Sequence, residues 1–154
     1  MTKRYYAGIG SRRTPPSILE TMTRLAGRLC NMGYTLRSGG AEGADTAFER
    51  GGSTNAQIMK AGDATAASMV MAAKVHPAWR ACNAYVQRLH GRNCMIIFGA
   101  ELNEPVEFVI CWQDPAIERG GTRLGMKLAE SHNIPVYNLA VAGDYKRLHD
   151  EQCL

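Results

Sequence analysis

Short unbroken apolar runs alternate along the chain with stretches whose apolar residues recur every three or four positions, and glycines stand at the junctions. Tyr5-Tyr6-Ala7-Gly8-Ile9-Gly10 reads as a strand; Ile18, Met22, Leu25, Ala26 and Leu29 follow at helical spacing, and Gly33 stands where a helix-ending glycine belongs. Between them, Thr14-Pro15-Pro16 predicts an N-cap followed by first-turn prolines. Tyr34 to Arg37 predicts a second strand and Ala44 to Arg50 a second helix. Gln57-Ile58-Met59 predicts a short strand, Ala64 to Lys74 favours helix, and Trp79 to His90 predicts a further helix ended by Gly91. The apolar run Cys94 to Phe98 predicts a buried strand, and Phe108-Val109-Ile110-Cys111 another. Leu124, Leu128 and Ala129 open an amphipathic helix, Ile134 to Tyr137 predicts the last strand, and Asp144 to Leu154 a short polar helix. Strands alternating with helices predict an α/β fold: a mostly parallel sheet with helices on both faces.

The strand-to-helix junctions carry the candidate chemistry. Ser38-Gly39-Gly40-Ala41-Glu42-Gly43-Ala44-Asp45 places three glycines and an aspartate where a strand hands over to a helix. Glycine there allows positive φ and close approach of a ligand, while the free amides and positive dipole end of the helix face an anion. An ordinary tight turn with a helix cap is the competing reading. Two more junctions of the kind, Gly8-Ile9-Gly10-Ser11-Arg12 and Gly120-Gly121-Thr122, predict one shared site, because such turns gather along the carboxyl edge of a parallel sheet.

Composition narrows the class without naming the ligand. The 154 residues, 45% hydrophobic and 21% charged, suit one domain spanning 1–154 with a sizeable core. No apolar run has the length to span a bilayer and no signal-type segment follows Lys3 and Arg4, so a cytoplasmic protein with no membrane partner is expected. Five cysteines, Cys30, Cys82, Cys94, Cys111 and Cys153, form no C-x-x-C pair and predict reduced, mostly buried thiols. No metal-ligand spacing and no cofactor are read from the sequence. The net charge of +4 suits an anionic ligand without demanding a polyanion.

The ordered set Gly8-Ile9-Gly10-Ser11-Arg12, Ser38 to Asp45 and Gly120-Gly121-Thr122 with Ile134-Pro135-Val136 resembles the SLOG superfamily. That group includes the DNA-processing protein A (Smf) proteins, the Lonely Guy phosphoribohydrolases and small YspA-like proteins. His76-Pro77-Ala78-Trp79, Leu89 to Asn93 and Phe108 to Trp112 are similar to segments of compact phage and bacterial proteins labelled DNA recombination mediators. The resemblance spans most of the chain and implies a modified Rossmann fold that binds nucleotides or nucleotide-derived ligands. It also implies that a homodimer forms around the site. In the phosphoribohydrolases the second glycine motif runs on into glutamates; here Arg123-Leu124-Gly125-Met126-Lys127 follows instead. Glycosidic cleavage needs a carboxylate near the sugar, so this departure counts against that activity.

Three functions follow: a nucleotide-binding module, a nucleotide N-glycosidase, or a DNA-processing protein that binds single-stranded DNA. Glu42, Asp45, Asp114 and Glu118 are the carboxylates available for catalysis if the protein is an enzyme. Gly8, Gly10, Ser11, Ser38, Gly39, Gly40, Gly43, Gly120 and Gly121 form the expected phosphate cradles, with Arg12 as a bidentate clamp. Thr122 either donates its hydroxyl to phosphate or caps its helix, Trp112 either stacks on a base or packs at the rim, and Asp45 is either a ligand residue or a helix cap. Arg37 is read as a neighbour of the loop or a solvated strand end. His76, His90, Arg92 and Asn93 form a polar group of undefined role from the middle of the chain.

Overall fold

The structure is a computed structural model and describes residues 2–52 and 56–154. Its elements run β1 (Arg4–Gly10), α1 (Pro16–Asn31), β2 (Tyr34–Ser38), α2 (Ala44–Gly52), β3 (Ala56–Ile58), α3 (Ala66–Val75), α4 (Ala84–Phe98), β4 (Val109–Trp112), α5 (Gly121–Ser131), β5 (Val136–Asn138) and α6 (Asp144–Gln152). The five strands form one sheet in the order β3-β2-β1-β4-β5, and every pair is parallel. This is the Rossmann-like α/β arrangement the strand-helix alternation predicts.

Strand residues alternate between two faces, and each face has its own core. Tyr6, Leu36 and Ile110 pack on α1 and α2 through Met22, Leu25, Leu29 and Phe48, with Leu148 of α6 at the edge. Tyr6, Tyr34, Phe108 and Tyr137 interlock there, with Tyr6 stacked on Phe108 at 5.8 Å and Tyr34 edge-on to the same ring at 5.5 Å. On the opposite face Ala7, Ile9, Val109 and Cys111 meet α4 and α5 through Ile96, Ile97, Leu124 and Leu128.

Several local readings are corrected. Cys94 to Phe98 is no strand but the last turns of α4, buried on all sides between sheet and neighbouring helices. A five-residue apolar run fits a buried strand or a buried helix end equally, and Gly91 does not end the helix. It lies inside α4 because α3 comes too close for a side chain: a Cβ there would stand 2.8 Å from Met69 Cγ and 3.0 Å from Ser68 Oγ. Trp79–Ala81 is a separate 3-10 turn, and α4 starts beyond it, where the Asn83 side chain accepts the Val86 amide at 2.9 Å. Thr14 does not cap α1; Pro15 holds that position, and the Thr14 hydroxyl turns back to donate to the Ser11 carbonyl at 2.6 Å.

Arg37, read as a neighbour of the loop or a solvated strand end, is fully buried, which removes the second of these readings. Its guanidinium lies 3.9 Å from the Tyr5 ring centroid, donates to Gln57 Oε1 at 2.9 Å and to the Glu104 carbonyl, and approaches the Glu104 carboxylate at 3.9 Å. These partners satisfy a charge that would otherwise be costly to bury. Among the described residues no helix is long and apolar enough to cross a membrane.

Candidate functional site

β1 is the strand from which the chain departs in both directions: β2 and β3 lie on one side, β4 and β5 on the other. Loops leaving β1 and β4 at their carboxyl ends therefore diverge and leave a crevice, the place where parallel sheets bind ligands. A cavity of about 780 Å³ opens there. Its floor and walls come from Gly10 to Arg13 after β1, Gly39 to Ala41 after β2, Lys60 and Ala61 after β3, and Trp112 to Asp114 after β4. Gly120, Gly121 and Thr122 at the start of α5 close one end, and Tyr85, Leu89, Arg92 and Asn93 of α4 form the roof.

Two consecutive α4 residues join the two glycine turns. The Arg92 guanidinium donates to the carbonyl oxygens of Gly39 at 2.9 Å and Met59 at 3.1 Å, and through Nε to Asn93 Oδ1 at 2.9 Å. Asn93 in turn stands over Gly121, where a Cβ would come within 2.7 Å of its Nδ2. Gly39 is needed because Arg92 and the Asp45 carboxylate fill the space a side chain would take. Gly40 adopts φ +71°, the left-handed region, with Ile58 and Lys60 against it.

Asp45 is buried in the first turn of α2, and its Oδ2 accepts the Ala41 amide at 3.2 Å. Burial raises its pKa from the ordinary carboxylate range to about 6, against the opposing pull of the Ala41 amide, the Arg92 charge, the Gly39 amide and the Ser38 hydroxyl. Burial likewise lowers the Arg92 pKa, and the Asp45 charge offsets part of that. The carboxylate thus braces the glycine turn from beneath.

The second turn is held differently. Gly120 has φ +101° and stands at the N-cap of α5 with no side chain capping the helix, so Thr122 does not cap it. Arg123 donates from Nε and a terminal nitrogen to the Ile117 carbonyl at 3.2 and 3.0 Å, pinning the preceding loop. Asn138 of β5 fixes its other end, accepting the Gln113 amide at 3.0 Å and donating to the Gln113 carbonyl at 2.9 Å. The start of α5 lines the crevice through Gly120, Gly121 and Thr122, and a helix N-terminus favours an anion there through its free amides and dipole.

Of the residues singled out in the sequence, Gly10, Ser11, Arg12, Gly39, Gly40, Asp45, Trp112, Asp114, Gly120, Gly121 and Thr122 line the cavity. His90, Arg92 and Asn93 line it as well, while Gly8, Ser38, Gly43, Glu42 and Glu118 do not. Gly8 lies under the Phe48 ring, whose nearest atom would be 2.5 Å from a Cβ, and the buried Ser38 hydroxyl donates to the Gly8 carbonyl at 2.6 Å. Gly43 has φ +90° and supports the Arg12 backbone from outside. Glu42 and Glu118 are exposed and do not line the cavity, while Asp114 accepts the Ala116 amide at 3.0 Å and braces its own loop.

Lys60, Tyr85 and Arg13 also reach the cavity, and Tyr85 is 63% exposed. Nothing in the sequence pattern distinguished Lys60 or Tyr85; Arg92 and Asn93 were visible as polar residues but their reach was not. His90 also lines the cavity beside this roof, and its pKa is lowered by burial, then by His76 and Arg92.

Compared with protein-family models the sequence matches none, and compared with curated proteins it also matches none. Among solved structures, DNA processing protein A from Helicobacter pylori matches over 98% of this chain and 74% of its own, with a TM-score of 0.61 and 18% identity. The two share a fold. That protein has a single-stranded DNA binding mode described as unique.

Proposed function

We propose that the crevice binds the phosphates of a nucleotide chain and that its ligand class is single-stranded DNA. The observation that carries this is the convergence of two glycine turns on one cavity, tied together by Arg92 and Asn93. Backbone amides of the two turns would cradle phosphate oxygens, and Arg12, Arg13, Lys60 and Arg119 supply cations along the same opening. Single-strand binders combine such a basic track with aromatic stacking platforms, and the exposed Tyr85 ring at the cavity supplies one. The fold shared with DNA processing protein A supports the same ligand class.

A free nucleotide is the second reading, favoured by the cavity's volume, which falls in the range of about 300–1,000 Å³ usual for small-molecule sites. Fluorescence anisotropy with a labelled oligo-dT of about 12 nucleotides separates the two readings. Neutralising three to four phosphates should weaken oligonucleotide binding about 20- to 50-fold between roughly 50 and 200 mM salt. Tight binding of a mononucleotide with none to the oligonucleotide would select the second reading, and binding of neither would end both.

A further inference from the structure

Where the connection from α3 meets α4, three side chains with metal-binding atoms converge, and one of them, His90, also lines the crevice. His76 follows α3, Cys82 lies just before α4, and His90 sits on α4; one ligand atom from each lies within 4.8 Å of the others. The Cys82 sulfur is 3.6 Å from His76 Nε2, and the two imidazole centroids are 4.6 Å apart. Metal–sulfur and metal–nitrogen bonds of about 2.3 and 2.0–2.1 Å at a tetrahedral angle put sulfur and nitrogen about 3.6 Å apart, the separation found here.

A second observation is independent of that spacing. His90 is only 6% exposed, and its Nδ1 is buried with no hydrogen-bond partner among the described residues. Buried polar atoms in folded proteins are nearly always satisfied, so an orphaned imidazole nitrogen beside a thiol and a second imidazole points to an absent partner. The Trp79 ring lies 6.2 Å from His76 and 6.4 Å from His90, and of the three residues only His90 is fully buried.

We propose that His76, Cys82 and His90 bind a zinc-class divalent cation, with water in the fourth position. One thiolate and two imidazoles suit borderline-soft Zn²⁺ and Co²⁺, whereas Mg²⁺ and Ca²⁺ prefer oxygen donors that this set lacks. Uptake balances in protons. The Cys82 thiol loses one, while the His76 proton moves from Nε2 to Nδ1, which now accepts the Ala78 amide at 3.0 Å; that hydrogen bond must be released, so the Ala78 amide reports on loading. The bound ion would clamp the connection before α4 to the helix whose next turn carries Arg92 and Asn93.

The test is titration of chelator-stripped protein with Co²⁺, followed by absorbance and by the amide spectrum of Ala78. One equivalent should bind saturably, with a thiolate-to-cobalt charge-transfer band and tetrahedral ligand-field bands that Zn²⁺ abolishes. Cys82→Ser should lose the charge-transfer band, His90→Gln should weaken binding more than about 100-fold, beyond the effect of outer-shell partners, and Cys153→Ser should change nothing. Cys82 is half-buried, so its variant keeps the test sound if His90→Gln does not fold. Unsaturable uptake, an octahedral spectrum without the charge-transfer band, or a band that survives in Cys82→Ser would overturn the proposal. Oligonucleotide binding is measured separately, so failure of either proposal leaves the other readable.

Discussion

The Arg92 guanidinium and the Gly39 carbonyl are 2.9 Å apart although 53 positions of sequence separate them. One side chain thereby fixes the backbone of a glycine turn, donates also to the Met59 carbonyl at 3.1 Å and faces the buried Asp45 carboxylate. Arg92→Lys keeps the charge but not the planar fork, and Arg92→Ala leaves Asp45 and two carbonyls without that partner. Loss of about 1–3 kcal/mol is expected for Arg92→Ala in urea unfolding, with a smaller loss for Arg92→Lys. Oligonucleotide affinity should fall in both.

Asp45 gives stability a pH dependence of definite sign. Its folded-state pKa, about 6, lies above the ordinary value of 3.8, so between these values the folded protein holds a proton that the unfolded chain has lost. Stability from this group is full below about pH 3.8 and is lost as pH rises through about 6, by about 3 kcal/mol in all. Asp45→Asn removes the titration while retaining an acceptor for the Ala41 amide. Denaturation at several pH values should show the variant gaining on the wild type by that amount between pH 3.8 and 6, and parallel curves would refute the assignment.

Glycines in and out of the crevice should respond oppositely. Valine at Gly40 meets positive φ and the Ile58 and Lys60 side chains, and valine at Gly121 meets Asn93. Either should weaken ligand binding by more than tenfold, about 1.4 kcal/mol. Gly27, inside α1, has among the described residues only the Gly51 carbonyl within reach, at 3.9 Å from a Cβ. Gly27→Ala should therefore raise stability by about 0.5–1 kcal/mol in thermal unfolding with affinity unchanged.

Tyr85 tests the stacking platform. It is exposed, so Tyr85→Ala should leave the melting temperature within a degree or two of the wild type. Affinity for the oligonucleotide should drop by about 1–3 kcal/mol, roughly 5- to 150-fold, while Tyr85→Phe retains it. Equal affinities for all three proteins would remove the ring from the site.

The glycine turns were legible because their signal is local: strand, glycines and helix start lie within a dozen residues, and Gly40, Gly43 and Gly120 are demanded by positive φ, although Gly39 and Gly121 are demanded by side chains from α4. The strands before them were legible for the same reason. The roof was not. Cys94 to Phe98 carries an apolar run compatible with either element, and Gly91 takes its helical place from a contact with Met69 and Ser68 that no local pattern records. A solvated strand end was one of two readings of Arg37 because arginine usually is exposed, whereas Tyr5, Gln57 and Glu104 converge on it from three distant segments. His76, Cys82 and His90 likewise meet only because the chain doubles back before α4.

The first strand is also the central one. Ala7 of β1 pairs with Arg37 on one side and Val109 on the other, so the crevice has no wall-to-wall precursor until β4 has docked, about a hundred residues after β1. Contacts of such sequence separation form late and only with the whole sheet. A ligand in the crevice binds a product of global folding, and its stabilisation is shared by every strand that β1 holds in register. Hydrogen exchange should show this directly: filling the crevice slows the β1 and β2 amides together with those of β4, across a sheet whose two halves open as one unit.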